Sequence, residues 1–494
     1  MVTKSFALRF SDLIFIVVFL VALASGGRML GIDSDLGRHL TLGNYILDER
    51  VIPTRDLFSH TRFGASRPPY EWLSQVIFAL AYRLLGLDGV IIFASVVIAL
   101  TFALVYQSAN QRSGSPLISL ILVLIAAGAS SLHWLPRPHI FTFLFLAIWV
   151  ELLGQLIEGK FVRVLLFPVI MLVWANLHGG FIFGILAWFA YFTGWLWETR
   201  RGAGNKQLGK SILVAGGTSL FATIVTPDLW RNWEAVLNNR SAFILNRTVE
   251  TMRPNLTDPS VLPYSILLLL TVLLIVLNWS YLKPQHLLLL GGLGFASLLM
   301  ARNIPLFAIA CVPALAGMGA RSISKLKTQI QLEERFAGFG SSGRPLWSIL
   351  IVLLASLYFA NYNIKNETSM HQFDPAVFPV EAVNFIEINP QSGNVFNEFN
   401  WGGYLLYRMW SSQHQPVFLD SQSDFYGEQL IREYDQIMNT DNNWLGLLDK
   451  YKVNWVLVST QSKLSNALSD HPGWEITYTD ETSVIFRKIQ TPIR

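Results

Sequence analysis

The stretch GIDSDLGRHL, residues 31–40, sets two carboxylates, Asp33 and Asp35, beside Arg38 and His39, directly after an apolar run long enough to cross a membrane. Charge next to hydrocarbon is costly, so it usually lines a cavity and has a task there. A plainer reading stands beside that one. Leu36, Leu40, Leu42, Ile46 and Leu47 recur at helical spacing up to Pro53. Asp35 then falls where an N-cap carboxylate meets the positive end of a helix dipole.

Other candidates share this layout. Arg55 follows in the same loop, and Glu71 opens EWLSQVIFALAYRLLG with Trp72 behind it, a carboxylate and a stacking ring at the mouth of a helix. Arg137 and His139 form the RPH triplet, His178 stands in WANLHGG, and Arg302 stands in MARNIP between two apolar runs. A guanidinium keeps its charge and grips phosphate oxygens in pairs, whereas a lysine is a point charge. These positions therefore suit a phosphate or diphosphate headgroup. Each arginine taken singly is better explained as an interface residue, and each histidine as one satisfied at a helix end; it is as a group that they favour a phosphate.

The elements that must position these residues are membrane helices. The chain is 52% hydrophobic and only 14% charged, too apolar for an ordinary soluble protein of its 494 residues. On the rule that about 20 apolar residues span the hydrocarbon, eleven spans are predicted near 12–30, 89–107, 116–132, 139–157, 162–177, 180–197, 211–226, 262–280, 285–300, 303–319 and 346–362. Residues 71–86 are shorter and charged, and read as a helix lying along the interface. The first run, after Lys4, reads as a retained anchor and not as a signal peptide. Cys311 is the single cysteine, so neither a disulfide framework nor a cysteine metal site can form.

With the N-terminus cytoplasmic, every lysine before residue 363 falls on the inner side, Lys325 and Lys327 included. The outer loops carry arginine instead, with Arg240 and Arg247 in the second long loop. The first outer loop, 31–88, is the longest. From residue 363 onward Asp and Glu outnumber Lys and Arg by 16 to 9, which marks 363–494 as an acidic, extracytoplasmic α/β domain behind a basic membrane domain, 1–362. In that tail FPVEAVNFIEIN, WGGYLLYRMW and KLSNALSDH read as helices. NVFNEF, PVFLDS, VNWVLVST and a hairpin around TDE read as strands. Glu398 and Asp420, with Trp401, Tyr404 and Tyr426 near them, mark a possible acceptor-facing surface, though such residues more often just pack a small domain. Residues 320–345 read as a connector. Asn246, Asn255 and Asn366 match the glycosylation acceptor pattern, which matters only in a eukaryotic secretory setting.

An Asp-x-Asp opening a long first outer loop, interfacial helices, short later loops and a soluble tail resemble the GT-C glycosyltransferases. The stretches DSDLGRHLTLGNYILDERVIPTRDLFSH, YEWLSQVIFALAYRLLG, RPH and WANLHGG carry the likeness. It is strongest to bacterial members related to the dolichyl-phosphate-mannose protein mannosyltransferase and aminoarabinose transferase group. The resemblance implies transfer of a sugar from a polyprenyl-phosphate donor to a lipid, glycan or protein acceptor on the outer face of a plasma membrane, with inversion at carbon. It implies Asp33 or Asp35 as the general base. Arg38, His39, Arg55, Glu71, Arg137, His139, His178 and Arg302 would then bind substrate or phosphate. Asp33 and Asp35, with His39, could also hold Mg or Mn, although such ions favour richer oxygen sets. The partners expected are the donor, the acceptor and membrane lipids, with no nucleic acid.

Two rivals make different demands. A transporter should show half-repeats and charge at mid-membrane, whereas here charge gathers at one face. A surface-polysaccharide polymerase or ligase using diphosphate donors usually has its long outer loop late in the chain.

Overall fold

The computed structural model describes residues 8–160, 162–202, 204–237, 242–245, 249–323 and 345–489. Lys4, Arg240, Asn246, Arg247, Lys325 and Lys327, with most of the connector at 320–345, lie outside them.

Each of the eleven predicted stretches is helical. Leucine-rich runs can satisfy every backbone group internally only as helices when water is absent. Among the described residues, seven helices are long and apolar enough to cross a membrane: Trp72–Ser113, Pro116–His133, His139–Ile157, Phe181–Arg200, Pro259–Leu277, Ala301–Ile323 and Leu346–Asn366. Phe10–Ala24, Leu166–Leu177 and Pro284–Leu299 are apolar but shorter. Lys206–Ala222 occupies the remaining position.

Local chemistry sets several boundaries. Ser115 accepts from the Ile118 amide at 3.4 Å ahead of Pro116, and Asn205 accepts from the Gln207 amide at 2.9 Å. The long helix Trp72–Ser113 is interrupted at Leu85 and Gly86, where Gly86 takes φ 61° and ψ −149°. Only glycine adopts that conformation easily. The break separates residues 72–84 from the apolar run that begins near 89, as the sequence led us to expect.

The described residues form two compact units that do not follow chain order. The helical unit takes them from 1–25, 91–237 and 246–367. Within it Ala301–Ile323 is largely buried and packs on Pro116–Ser130, while Leu346–Asn366 keeps nearly all of its apolar surface exposed.

The second unit joins the first long loop, 26–90, to 238–245 and the tail from 368 onward. Its sheet contains β1 (Asn394–Asn397), β2 (Val453–Ser459), β3 (Trp474–Thr479) and β4 (Ser483–Lys488), ordered β1-β2-β4-β3. β1 runs parallel to β2, and the other pairs are antiparallel. Phe396, Phe418, Tyr426, Tyr434, Val456 and Phe486 fill the core beneath it. The expected helices appear as Val380–Ile388, Gly402–Gln413 and Lys463–Ser469. Two further helices, Ser423–Asn439 and Trp444–Lys450, were not foreseen.

PVFLDS is not a strand. Its Val417 forms one isolated parallel bridge to Ser59, with the Val417 amide 2.9 Å from the Phe58 carbonyl and the His60 amide 3.0 Å from the Val417 carbonyl. Pro416 has no amide to extend that ladder. The first-loop helix Leu36–Glu49 stops at Arg50, which is left-handed at φ 56°. It packs on Gly402–Gln413, with Gly37 of one against Gly403 of the other.

Candidate active site

The loop–tail unit gathers most of the first-loop candidates. Asp33 is fully buried, and its Oδ1 accepts from the Asp35 amide at 2.9 Å and the Leu36 amide at 3.1 Å. Asp33 therefore caps the first-loop helix, and the Asp35 side chain makes no capping bond. Asp35 holds the N-cap position that the spacing predicts, but its carboxylate does not do the capping. Asp33 reaches the amides two and three residues after it, the usual span of an aspartate at a helix start. The Asp35 carboxylate is half-buried and accepts instead from the Ser421 hydroxyl of the tail.

Arg38 projects from the first turn of the same helix and is 2% exposed. Its Nε lies 3.8 Å from Oδ2 of the fully buried Asp420. The same oxygen lies 3.9 Å from Nη2 of Arg67, whose Nη1 donates to Asp56 at 2.9 Å and whose Nη2 also donates to Gln422. Asp56 is secured by the Ser59 amide at 3.0 Å and the Ser59 hydroxyl at 2.7 Å. The Gln422 amide donates to Asp420 Oδ1 at 2.9 Å. Burial lifts the Asp420 carboxyl, and the guanidiniums of Arg67 and Arg38 pull it back down. Two buried acids thus face two guanidiniums, of which Arg38 is buried and Arg67 partly so.

Glu71 joins this group just before helix Trp72–Ser113. Burial pushes its carboxyl up to about 7; Arg38 opposes the rise, and Asp35 and Asp424 add to it. A carboxyl that titrates near neutrality can hold or accept a proton under working conditions, the property a proton-transfer group needs.

Other first-loop candidates have local employment. His39 is buried, with Nδ1 3.4 Å from Gln75 Nε2. Arg55 is exposed and donates to the Gly64 carbonyl at 3.1 Å, closing its own loop. The structure does not bring Arg55 to the acid cluster.

The remaining candidates assemble in the helical unit. His178 Nδ1 lies 3.1 Å from the Gly180 amide and 2.8 Å from the Thr142 hydroxyl, which itself accepts from Trp174 Nε1 at 2.9 Å. An amide can only donate, so Nδ1 is the acceptor and the ring proton sits on Nε2. Burial, with Arg302 adding to it, lowers this imidazole to about 3, so His178 is neutral at physiological pH. His139 Nε2 pairs with the His133 carbonyl at 2.7 Å, which places its proton on Nε2 as well. Arg137 lies 3.8 Å from Glu250. His139 is within electrostatic reach of His178 and Arg137, and His178 within reach of Arg302. Two guanidiniums and the neutral imidazole of His178 make a group suited to a phosphate.

Sequence reasoning passed over Arg67, Asp56, Ser421, Gln422 and Asp424, and raised Asp420 only as a surface residue. Arg67 was visible among the lysine-free outer arginines, and DSQSDFYG carries two acids in five residues. Nothing local tells that these stretches meet. As for an ion, among the described residues no group of three His, Cys, Asp or Glu side chains is placed to hold one. One oxygen of Asp33 is also committed to the backbone. The residues present do not fit the Mg or Mn considered above, and no step below runs through a metal.

The fold has solved counterparts. The apo oligosaccharyltransferase of Archaeoglobus fulgidus matches with a TM-score of 0.57 at 11% identity, over 97% of this chain and 75% of that one. AglB from the same organism, in complex with an inhibitory peptide and a dolichol-phosphate, matches with a TM-score of 0.61 at 11% identity over the same shares. Apo ArnT from Cupriavidus metallidurans matches with a TM-score of 0.50 at 13% identity, over 97% of each chain. No family model and no curated protein matches the chain. The chain shares the fold of these solved proteins.

Proposed function

We propose that this protein is an inverting glycosyltransferase that moves a sugar from a polyprenyl-phosphate donor to an acceptor hydroxyl, with Asp35 as the general base. The observation that carries the reading is the half-buried Asp35 carboxylate beside Glu71 and Arg38, on a fold shared with transferases. Asp33 is spent on the helix start, which leaves Asp35 as the member of the pair able to meet a substrate.

In a single displacement the acceptor oxygen bonds to the anomeric carbon as its proton passes to the Asp35 carboxylate. The bond from that carbon to the phosphate oxygen breaks, and its electron pair stays on the phosphate. Attack from the opposite face inverts the centre, and no covalent enzyme intermediate is needed. Two features support a phosphate-bearing donor. Arg137 and Arg302 carry permanent charge, and His178 offers a neutral Nε2–H whose tautomer is fixed by Gly180. Within the helical unit, these groups suit a phosphate. In this reading the eleven helical stretches are the membrane passages, and the N-terminus is cytoplasmic with the tail extracytoplasmic.

The test is product stereochemistry. Purified protein in lipid is supplied with polyprenyl-monophosphate and polyprenyl-diphosphate donors, and the anomer formed is read by NMR. Inverted product from a monophosphate donor supports the reading. Product from diphosphate donors alone would favour the polymerase or ligase class, and a retained anomer would contradict the single displacement.

A further inference from the structure

Three histidines stand near the two guanidiniums of the helical unit, and two of them bond to the protein through their rings. His178 takes the Gly180 amide on its Nδ1, and His139 meets the His133 carbonyl with its Nε2. His133 differs. It is 8% exposed, and its Nδ1 is buried with no hydrogen-bond partner among the described residues. Native proteins seldom leave a buried nitrogen unpaired, because the atom gives up its bonds to water and gains none in return.

The backbone around this ring is committed. Helix Pro116–Ser130 ends in the tight turn Ser131–His133. The His133 carbonyl takes the Leu135 amide at 3.1 Å and His139 Nε2 at 2.7 Å. Beside it the buried Trp134 donates from Nε1 to the Ser130 hydroxyl at 3.0 Å and packs on Phe102. The imidazole of His133 lies within electrostatic reach of Arg137 and Arg302, the cations that the reading above gives to the donor phosphate. Neither guanidinium can accept a proton from it, since both only donate. A phosphate drawn in by the guanidiniums supplies the acceptor oxygens that the protein does not.

We propose that His133 is a further binding residue for the donor: its imidazole donates from Nδ1 to the phosphate that Arg137 and Arg302 attract. This rests on the reading of the helical unit as the donor-phosphate group. The bond is to the phosphate and not to the sugar, so it serves the carrier equally after the sugar has left.

The test uses polyprenyl monophosphate, the carrier without its sugar, on the full chain in lipid. Uncharged polyprenol and inorganic phosphate are the comparison probes. His133→Phe keeps a ring but no nitrogen, and His133→Asn returns an N–H near the Nδ1 position. His133→Phe is expected to weaken polyprenyl monophosphate binding roughly tenfold and to leave polyprenol binding unchanged, with His133→Asn recovering most of the loss. Nitrogen NMR of histidine-labelled wild-type protein gives a readout that does not depend on the folding of His133→Phe. The His133 signal, assigned by its absence in His133→Asn, should move with polyprenyl monophosphate and stay in place with polyprenol.

Equal phosphate binding by wild type and His133→Phe, or a His133 signal that does not move, overturns the proposal. Equal loss of both lipids in His133→Phe overturns it too, since only packing would then be lost. Inorganic phosphate that binds as tightly as the polyprenyl ester would assign the site to free phosphate and overturn the lipid-linked source. Should the wild type bind polyprenol as tightly as the monophosphate, it is the phosphate reading of the helical unit that falls, and the role of His133 falls with it.

Discussion

Gly37 and Gly403 meet backbone to backbone: a methyl group on Gly37 would stand 2.2 Å from the Gly403 carbonyl oxygen. No real contact is that short. One glycine begins the helix that carries Arg38 behind Asp33 and Asp35, and the other begins the tail helix Gly402–Gln413. Their approach sets how closely the two helices pack.

Gly37→Ala and Gly403→Ala are each expected to lower the melting temperature of the purified protein, since overpacking of this kind costs about 1–3 kcal/mol. Activity should fall more than stability does, because the helix that bears Asp35 must move. A variant with native melting and native transfer would show that the approach is not needed.

The two first-loop aspartates should separate cleanly. Asparagine caps a helix about as well as aspartate, and the Asp33 Oδ1 serves two amides that an asparagine oxygen can also serve. Asp33→Asn is expected to fold normally and to keep measurable transfer. Asp35→Asn should fold as well but lose transfer by about 10²–10⁴-fold, the usual worth of a proton-transfer group. The reverse order would move the base role to Asp33.

Glu71 makes stability depend on pH in a definite direction. Its carboxyl is raised in the folded protein to about 7, from an ordinary value of 4.5. The folded state therefore binds more protons than the unfolded state between those values, and stability falls as pH rises through that window. Glu71→Gln removes the burden. The variant should match the wild type near pH 4.5 and exceed it at pH 8 by on the order of 2–3 kcal/mol. Melting curves at the two pH values decide it, and a variant less stable than wild type at pH 8 would refute the shift.

Arg67 stands between two buried acids, Asp56 and Asp420. Removing one partner of a buried ion pair leaves charge uncompensated and costs about 3–5 kcal/mol. Arg67→Met is expected to destabilise the protein by that order, and adding Asp420→Asn should recover part of the loss. Additive destabilisation in the double variant would mean that the two residues do not share charge.

In the helical unit, Arg302→Ala is expected to raise donor KM by about 10–100-fold with a smaller effect on kcat, the pattern of lost ground-state binding. Arg302→Lys should restore only part, because an ammonium lacks the planar fork. His178 is neutral across the physiological range, so donor KM should stay flat between pH 5 and 8. A KM that tracks histidine protonation would contradict the fixed tautomer.

Much of this was legible in the chain. Leucine-rich runs announce membrane helices because backbone in hydrocarbon has one economical solution, and all eleven stretches are helical. The spacing Leu36, Leu40, Ile46 located the first-loop helix, and Arg137, His139, His178 and Arg302 stood out as charge or imidazole at span ends. What could not be read was long-range pairing. Arg67 and Asp420 are 353 positions apart in sequence, and neither carries a local mark that it will be buried against the other. The bond from the Ser421 hydroxyl to Asp35 was equally hidden, since it joins the first loop to the tail.

The most direct measurement is sugar transfer from a radiolabelled polyprenyl-phosphate donor by wild-type protein and Asp35→Asn, side by side in lipid. Transfer by the wild type, and its loss in a variant that still melts normally, is the expected result. Equal transfer by both proteins would contradict the assignment of GIDSDLGRHL as the catalytic stretch.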